Sequence, residues 1–280
     1  MRDLVSPAQL RKRMAAPDSA HMRLLDATYY LPNEAKDAAS LFQAAHLSGA
    51  RFFDIDKVVD ATSSLPHMLP TPDSFATAVA ALGVSNTDHV IVYDQRGLFS
   101  AARLWWMFRV FGHDNVAVLD GGLPGWVEAG GAVVSGAPSP AAPGEFRAGF
   151  RSSLVRNLEQ MKANLQNHTE LVLDARAAGR FDGRVPEPRP GMRSGHIPGA
   201  KSLPFTELLQ DGKMLPPAIL RAKFAGLGVT PDRSVVTSCG SGVTAAVLTL
   251  GLAVAGLPQG ALYDGSWSEW GGRDDTPIEV

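Results

Sequence analysis

Cysteine is nearly absent: one residue, Cys239, among 280. One thiol excludes a disulfide framework within the chain and any zinc site built from several cysteines. Long apolar runs are missing as well. No stretch reaches the roughly 18 consecutive apolar residues of a membrane span. The most apolar one, around 243–257, is interrupted by Thr244, Thr249, Gly251 and Gly256. The opening residues, MRDLVSPAQLRKRMAAPDSA, hold no continuous apolar core of the kind a secretion signal needs. Charge of one sign is not in excess: 26 Lys and Arg against 28 Asp and Glu leave a formal charge of −2. Such a chain has no bulk attraction to nucleic acid or to an anionic membrane. These absences set the expectation of a cytoplasmic protein with neither nucleic acid nor membrane as partner.

What is present reads as globular. Hydrophobic residues make up 45% and charged residues 19%, which argues against global disorder. At roughly 150 residues per domain the length suggests about two domains. The 28 Gly and 20 Pro fit many short connections between elements.

The chain repeats itself. LLDATYY, AHLSGARFFDID, HVIVYDQRGLFSAARLWWMFRVFG and VAVLDGGLPGWVEAGG are followed, in the same order, by LVLDARAAGRF, GHIPGAKSLPF, SVVTSCGSGVTAAVLTLGLAVAG and ALYDGSWSEWGG. Asp26 pairs with Asp174, His46 with His196, Asp94 with Cys239, Asp120 with Asp264 and Trp126 with Trp270, at offsets of 148, 150, 145, 144 and 144 residues. Five anchors in one order at nearly one offset mark an internal duplication. The expected domains are 1–135 and 154–280. Between them, a linker is expected over 136–153; the segment SGAPSPAAPGEFRAGF (135–150) is rich in Pro, Gly, Ala and Ser. The acidic end, RDDTPIEV, reads as a frayed tail.

Each half alternates strand and helix signals. RLLDA, ELVLDA, HVIVYD and SVVTSC are short apolar runs ending in a polar residue, as buried parallel strands do. TPDSFATAVAALG, with Pro72 in its first turn, SAARLWWMFRVFG and GVTAAVLTLGLAVAG read as helices, each closed by a glycine. Alternating β and α elements predict an open, mostly parallel sheet covered by helices. Ligands on such sheets sit at the carboxyl ends of the strands, and Cys239 lies at one of those ends.

The segment VVTSC-GSGVT-AAVLTLG predicts strand, tight loop and helix. Gly240 and Gly242 leave room for backbone N–H groups to turn inward around the sulfur. The following helix adds the positive end of its dipole. Such a loop stabilises an anion and would make the thiolate a ready nucleophile. The plain alternative is a buried structural cysteine, which has no need of glycines at both of these positions. Tyrosine-phosphatase chemistry requires an Arg where this chain has Ala245. A five-residue loop, Gly240 to Thr244, suits a single sulfur atom instead.

CGSGVT, the doubled domain, the two H-[IL]-x-G-A segments and GRF-x6-PR closely resemble the tandem rhodanese-like sulfurtransferases, in their mercaptopyruvate-type branch. The resemblance runs from about Asp26 to Trp270. It implies an α/β fold of two tandem rhodanese-like domains, each a mostly parallel sheet flanked by helices. It implies a persulfide on Cys239, backed by the amides of Gly240, Gly242, Val243 and Thr244. The thiosulfate-type loop of the family, CRKGVT, carries two cations where this chain has Gly240 and Ser241. An uncharged loop suits a donor whose charge sits farther off, on a carboxylate. The implied donor is 3-mercaptopyruvate. The implied acceptor is a thioredoxin-like or small thiol, or cyanide. No metal or organic cofactor is needed. A thiosulfate-using enzyme and a non-catalytic binding or redox-sensing module remain the alternatives.

A carboxylate is best matched by guanidinium forks. The resemblance places the substrate arginines at Arg180 and Arg189. Arg176 is read as structural, and Arg184 has no assigned role. His196 invites a Cys–His dyad. The same motif recurs at His46 in the half that lacks a cysteine, so both are read as structural imidazoles bonding backbone in a turn. Asp94 stands in place of the nucleophile in the first half, which leaves one catalytic site, expected in the cleft between domains. The FFDID…HMLP match carries over Asp56 and His67, which the family joins to Ser241 in a relay near the cysteine. Ala61 stands where the family often has Arg.

Overall fold

The computed structural model describes residues 3–280, so the first two residues of the expected 1–135 domain lie outside the described range. By contacts the chain divides into two units. The first holds the residues up to Val59, Leu69–Arg151 and Asp211–Met214; the second holds Asp60–Met68, Ser152–Gln210 and Leu215–Val280.

Each unit is built on a five-stranded parallel sheet. In the first, the strands lie in the order Leu4–Val5, Val116–Leu119, His89–Tyr93, Met22–Asp26 and Arg51–Phe52. In the second, the order is Val155–Arg156, Ala261–Tyr263, Ser234–Ser238, Glu170–Asp174 and Lys201–Ser202. The two orders correspond strand for strand, so the duplication seen in the residues is a duplication of topology. Registers agree as well. Asp26 lies beside Tyr93 and Asp174 beside Ser238, which puts Asp94 and Cys239 each one residue past the carboxyl end of a central strand.

The predicted helices form where their signals stand. Thr71 caps Pro72–Ala81 by accepting from the Ser74 amide at 3.2 Å, with Pro72 at the first position where no N–H is required. Ala101–Val110 and Ala245–Val254 follow the two loops that bear Asp94 and Cys239, and both are buried almost all round. A helix apolar on every face is an interior helix. Leu24, Ile91, Ala117 and Trp126 pack in the first unit. Val172, Val236, Ala261, Trp267 and Trp270 pack in the second.

The expected linker and tail both turn out to be anchored. Residues 136–151 form no regular element, yet Phe146 is buried against Phe75, Phe108 and His113. Gly144 and Arg151 donate to the carbonyls of Ala80 and Val110. The terminal octapeptide is not frayed. Thr276 is buried and accepts from Arg193 Nη2 at 2.6 Å. Trp270 Nε1 donates to the Pro277 carbonyl at 2.8 Å. Glu279 and His196 exchange backbone hydrogen bonds at 2.8 and 3.0 Å. Backbone partners supplied by a distant turn override a polar composition.

Candidate active site

Cys239 is buried at the end of strand Ser234–Ser238. The loop that follows runs into helix Ala245–Val254, as the glycines predict; Gly242 has φ +76, a conformation glycine takes without strain. The helix Ser266–Trp270 holds the loop's outer side. Trp267 N–H donates to the Cys239 carbonyl at 2.9 Å, and Ser268 N–H to the Gly240 carbonyl at 2.8 Å.

Ser241, also buried, meets His67: Nδ1 of His67 lies 3.0 Å from Ser241 Oγ. His67 belongs to the segment Asp60–Met68, which is grouped with the cysteine's unit rather than with the residues flanking it in sequence. That segment braces itself. The Asp60 amide donates to the Met68 carbonyl at 3.0 Å, and the Asp60 carboxylate accepts from Thr62 N and Oγ1 at 2.9 and 2.7 Å. His67 has φ +60, a left-handed backbone that costs a residue with a side chain about 1 kcal/mol. Asp56 belongs to the first unit, where its amide donates to Asp54 Oδ1 at 3.1 Å.

Arg180, on the short helix Ala178–Phe181, reaches the cysteine loop. A Cβ at Gly240 would stand 3.0 Å from Arg180 Nη2, so the absence of a side chain there makes room for the guanidinium. Glu187, which the sequence reading passed over, holds that guanidinium: Arg180 Nε donates to its Oε1 at 3.1 Å and Nη2 to its Oε2. Glu187 Oε1 also accepts from Arg176 Nη1 at 2.8 Å. Arg176 is fully buried; it forks onto Asp174, bonds the Gly195 carbonyl and lies over the Trp267 ring. Its expected structural part fits these contacts. Arg189 is half-buried, and Arg184 is exposed and paired with Asp182. The Glu of EPR, two residues before Arg189, was the available signal for Glu187.

The two histidines of the repeated motif do the same thing in both halves. His46 Nδ1 bonds the Phe42 carbonyl at 2.8 Å and stacks on the Phe42 ring. His196 Nδ1 bonds the Phe181 carbonyl at 2.9 Å and stacks on the Phe181 ring. The same geometry in a half without a cysteine supports the structural reading.

The cysteine-free half shows what such a loop binds. Asp94 Oδ1 accepts from the Arg96 amide at 2.9 Å, and Oδ2 accepts from the amides of Phe99, Ser100 and Ala101 at 2.8, 2.9 and 2.9 Å. A loop of this shape is an anion cradle made of main-chain N–H groups. The counterparts of Asp174 and Arg176 there are Asp26 and Thr28. Without a guanidinium beside it, the Asp26 carboxyl is pushed up to about 6 by burial, against the opposing bonds from Thr28 and Gln95. In the second unit, burial and then the neighbouring Glu269 carboxylate push the Tyr263 phenol up; the phenol donates to Glu269 Oε2 at 2.8 Å.

A duplicated parallel α/β sheet with one cysteine in the loop that follows a central strand defines the class. A Rhodanese-like domain signature covers residues 6–129 and 157–273, and the chain belongs to the rhodanese-like family. It is 43% identical to thiosulfate/3-mercaptopyruvate sulfurtransferase 1, mitochondrial, of Arabidopsis thaliana, over 99% of this chain and 78% of that one. It is 45% identical to 3-mercaptopyruvate sulfurtransferase of Escherichia coli (strain K12), over 94% of this chain and 93% of that one. The crystal structure of SseA from Escherichia coli, a 3-mercaptopyruvate sulfotransferase, matches with a TM-score of 0.85 and 40% identity, covering 95% of this chain and 99% of that chain. Among the described residues no helix is long and apolar enough to cross a membrane.

Proposed function

We propose that this chain is a sulfurtransferase that takes sulfur from 3-mercaptopyruvate, carries it as a persulfide on Cys239 and passes it to a thiol or to cyanide. The observation that carries the reading is the guanidinium of Arg180 seated against an uncharged cysteine loop at Gly240. A cation beside the loop, rather than in it, suits a donor with its carboxylate a few bonds from its sulfur. The full-length similarity to 3-mercaptopyruvate sulfurtransferases supports the same donor.

Arg180 and Arg189 take the carboxylate. Cys239 thiolate attacks the substrate sulfur; an S–S bond forms, the C–S bond breaks, and its electron pair goes to the enolate of pyruvate. The proton released from the substrate thiol ends on the enolate carbon, with Ser241, hydrogen-bonded to His67, relaying it. Asp56 enters this relay on the family resemblance. Main-chain N–H groups of the 240–244 loop stabilise the anionic outer sulfur, as those around Asp94 hold its carboxylate. An acceptor thiolate or cyanide then attacks the outer sulfur, and Cys239 leaves as thiolate. The scheme is a double displacement with ping-pong kinetics. We place it in the cytoplasm, a reducing compartment that keeps a lone thiol available; the Arabidopsis relative is named as mitochondrial.

The test is pyruvate release from 3-mercaptopyruvate by the purified protein, with intact mass showing one added sulfur. Cys239→Ser abolishes both; substantial residual transfer refutes the nucleophile. Because the Arabidopsis relative's name includes thiosulfate, kcat/KM is measured on both donors, and a preference for thiosulfate overturns the donor assignment.

A further inference from the structure

We propose that Ser266 and Ser268 are positioning residues that set the shape of the persulfide loop, an inference that rests on Cys239 being the sulfur carrier. Ser266 is fully buried with φ +48, in the left-handed region that a side chain makes unfavourable. Its counterpart in the first unit is Gly122, with φ +55, where the conformation is free of that penalty. A serine held in a glycine's conformation offers one thing glycine lacks, its hydroxyl. That hydroxyl accepts from the Cys239 N–H at 3.2 Å and donates to the Tyr263 carbonyl at 2.8 Å. The next two residues continue the pattern. Trp267 N–H donates to the Cys239 carbonyl at 2.9 Å. Ser268 donates to the Gly240 carbonyl twice, from N–H at 2.8 Å and from Oγ at 2.7 Å.

A trans peptide is planar, with its C=O and N–H pointing opposite ways, and the described chain has no cis peptide. Fixing the Cys239 carbonyl therefore fixes the Gly240 N–H, and fixing the Gly240 carbonyl fixes the Ser241 N–H. Both N–H groups are turned away from the helix Ser266–Trp270. They are the first two amides of the loop that receives the outer sulfur.

The cysteine-free half supplies the contrast. Leu123 N–H still donates to the Asp94 carbonyl at 2.8 Å. Pro124 occupies the place of Ser268 and brings neither N–H nor hydroxyl. A Cβ on Gly122 would collide with the Asp94 carbonyl. That loop is held from inside by its own carboxylate. A loop that must accept a sulfur and release it again cannot be held from inside. It is braced from outside, by the two serines that the other half lacks together with the cysteine.

Ser266→Gly in the full chain removes the hydroxyl and relieves the backbone. We expect a melting temperature within a few degrees of the parent, about a tenfold lower kcat and a KM within about twofold, the size of one lost hydrogen bond that acts in the transition state. The persulfide, loaded from inorganic polysulfide and followed by intact mass, decays several-fold faster than in the parent. Ser268→Ala moves both readouts in the same direction, and Ser268→Thr, which keeps the hydroxyl, restores them. Parent-like kcat and persulfide lifetime in both Ser266→Gly and Ser268→Ala overturn the proposal. A parent that releases no pyruvate yet holds polysulfide sulfur on Cys239 defeats the donor reading alone, and the lifetimes still decide the serines. A parent that takes up sulfur from neither source overturns both.

Discussion

The imidazole Nδ1 of His67 and the hydroxyl of Ser241 lie 3.0 Å apart, across 174 residues of chain. Both are buried in the unit that carries Cys239, so neither is free to exchange this partner for water. The bond orients a hydroxyl two residues from Cys239, and the left-handed backbone of His67 is the strain accepted to deliver its ring there.

His67→Asn keeps a side chain that tolerates the left-handed region and removes the imidazole. If His67 assists proton transfer through Ser241, kcat for pyruvate release falls by about 100-fold or more while the fold stays intact by circular dichroism. An unchanged kcat removes His67 from the chemistry.

Glu187 serves two arginines at once, buried Arg176 and half-buried Arg180. Glu187→Ala leaves the Arg176 guanidinium with less than its full set of partners in the interior, a loss of roughly 3–5 kcal/mol. It also unbraces Arg180. The expected result is a lower melting temperature together with a higher KM for 3-mercaptopyruvate. A parent-like KM in the folded variant would show that Arg180 needs no brace.

Adding side chains to the loop tests donor choice. With Gly240→Arg and Ser241→Lys together, the new side chain at 240 meets Arg180 Nη2, since even a Cβ would lie 3.0 Å from it. The carboxylate site is disturbed while two cations enter the loop. The ratio of kcat/KM for thiosulfate over 3-mercaptopyruvate rises by at least about tenfold; an unmoved ratio undercuts the charge argument.

Asp26 makes stability depend on pH. Its folded value of about 6 lies above the ordinary 3.8, so between those limits the folded chain holds a proton that the unfolded chain has lost. Stability therefore falls as pH rises from about 4 to about 6 and levels off above, a loss on the order of 3 kcal/mol for a shift of this size. Asp26→Asn raises the melting temperature by several degrees at pH 8 and by much less at pH 5. An equal gain at both pH values would assign the effect to something other than ionisation.

Much of the molecule was readable from residue order. The repeat is legible because five anchors recur in one order at nearly one offset. The strands, the helices after Asp94 and Cys239 and the cysteine loop are each encoded within about twenty consecutive residues. Strand period, glycine placement and caps act over that range. The paired histidines were readable for a different reason: a motif present in a half with no cysteine cannot owe its presence to the cysteine.

Tertiary structure decided the rest. Glu187 between two arginines, the serines behind the loop, the buried Phe146 and the pinned octapeptide all depend on partners supplied by distant segments. No periodicity in a single chain records which turn will present a spare carbonyl. Composition predicted a linker and a frayed tail because it counts residue types and not the bonds waiting for them. Residue order put one thiol just past the carboxyl end of a central strand; packing supplied the serines that hold the carbonyl and amide groups of its loop.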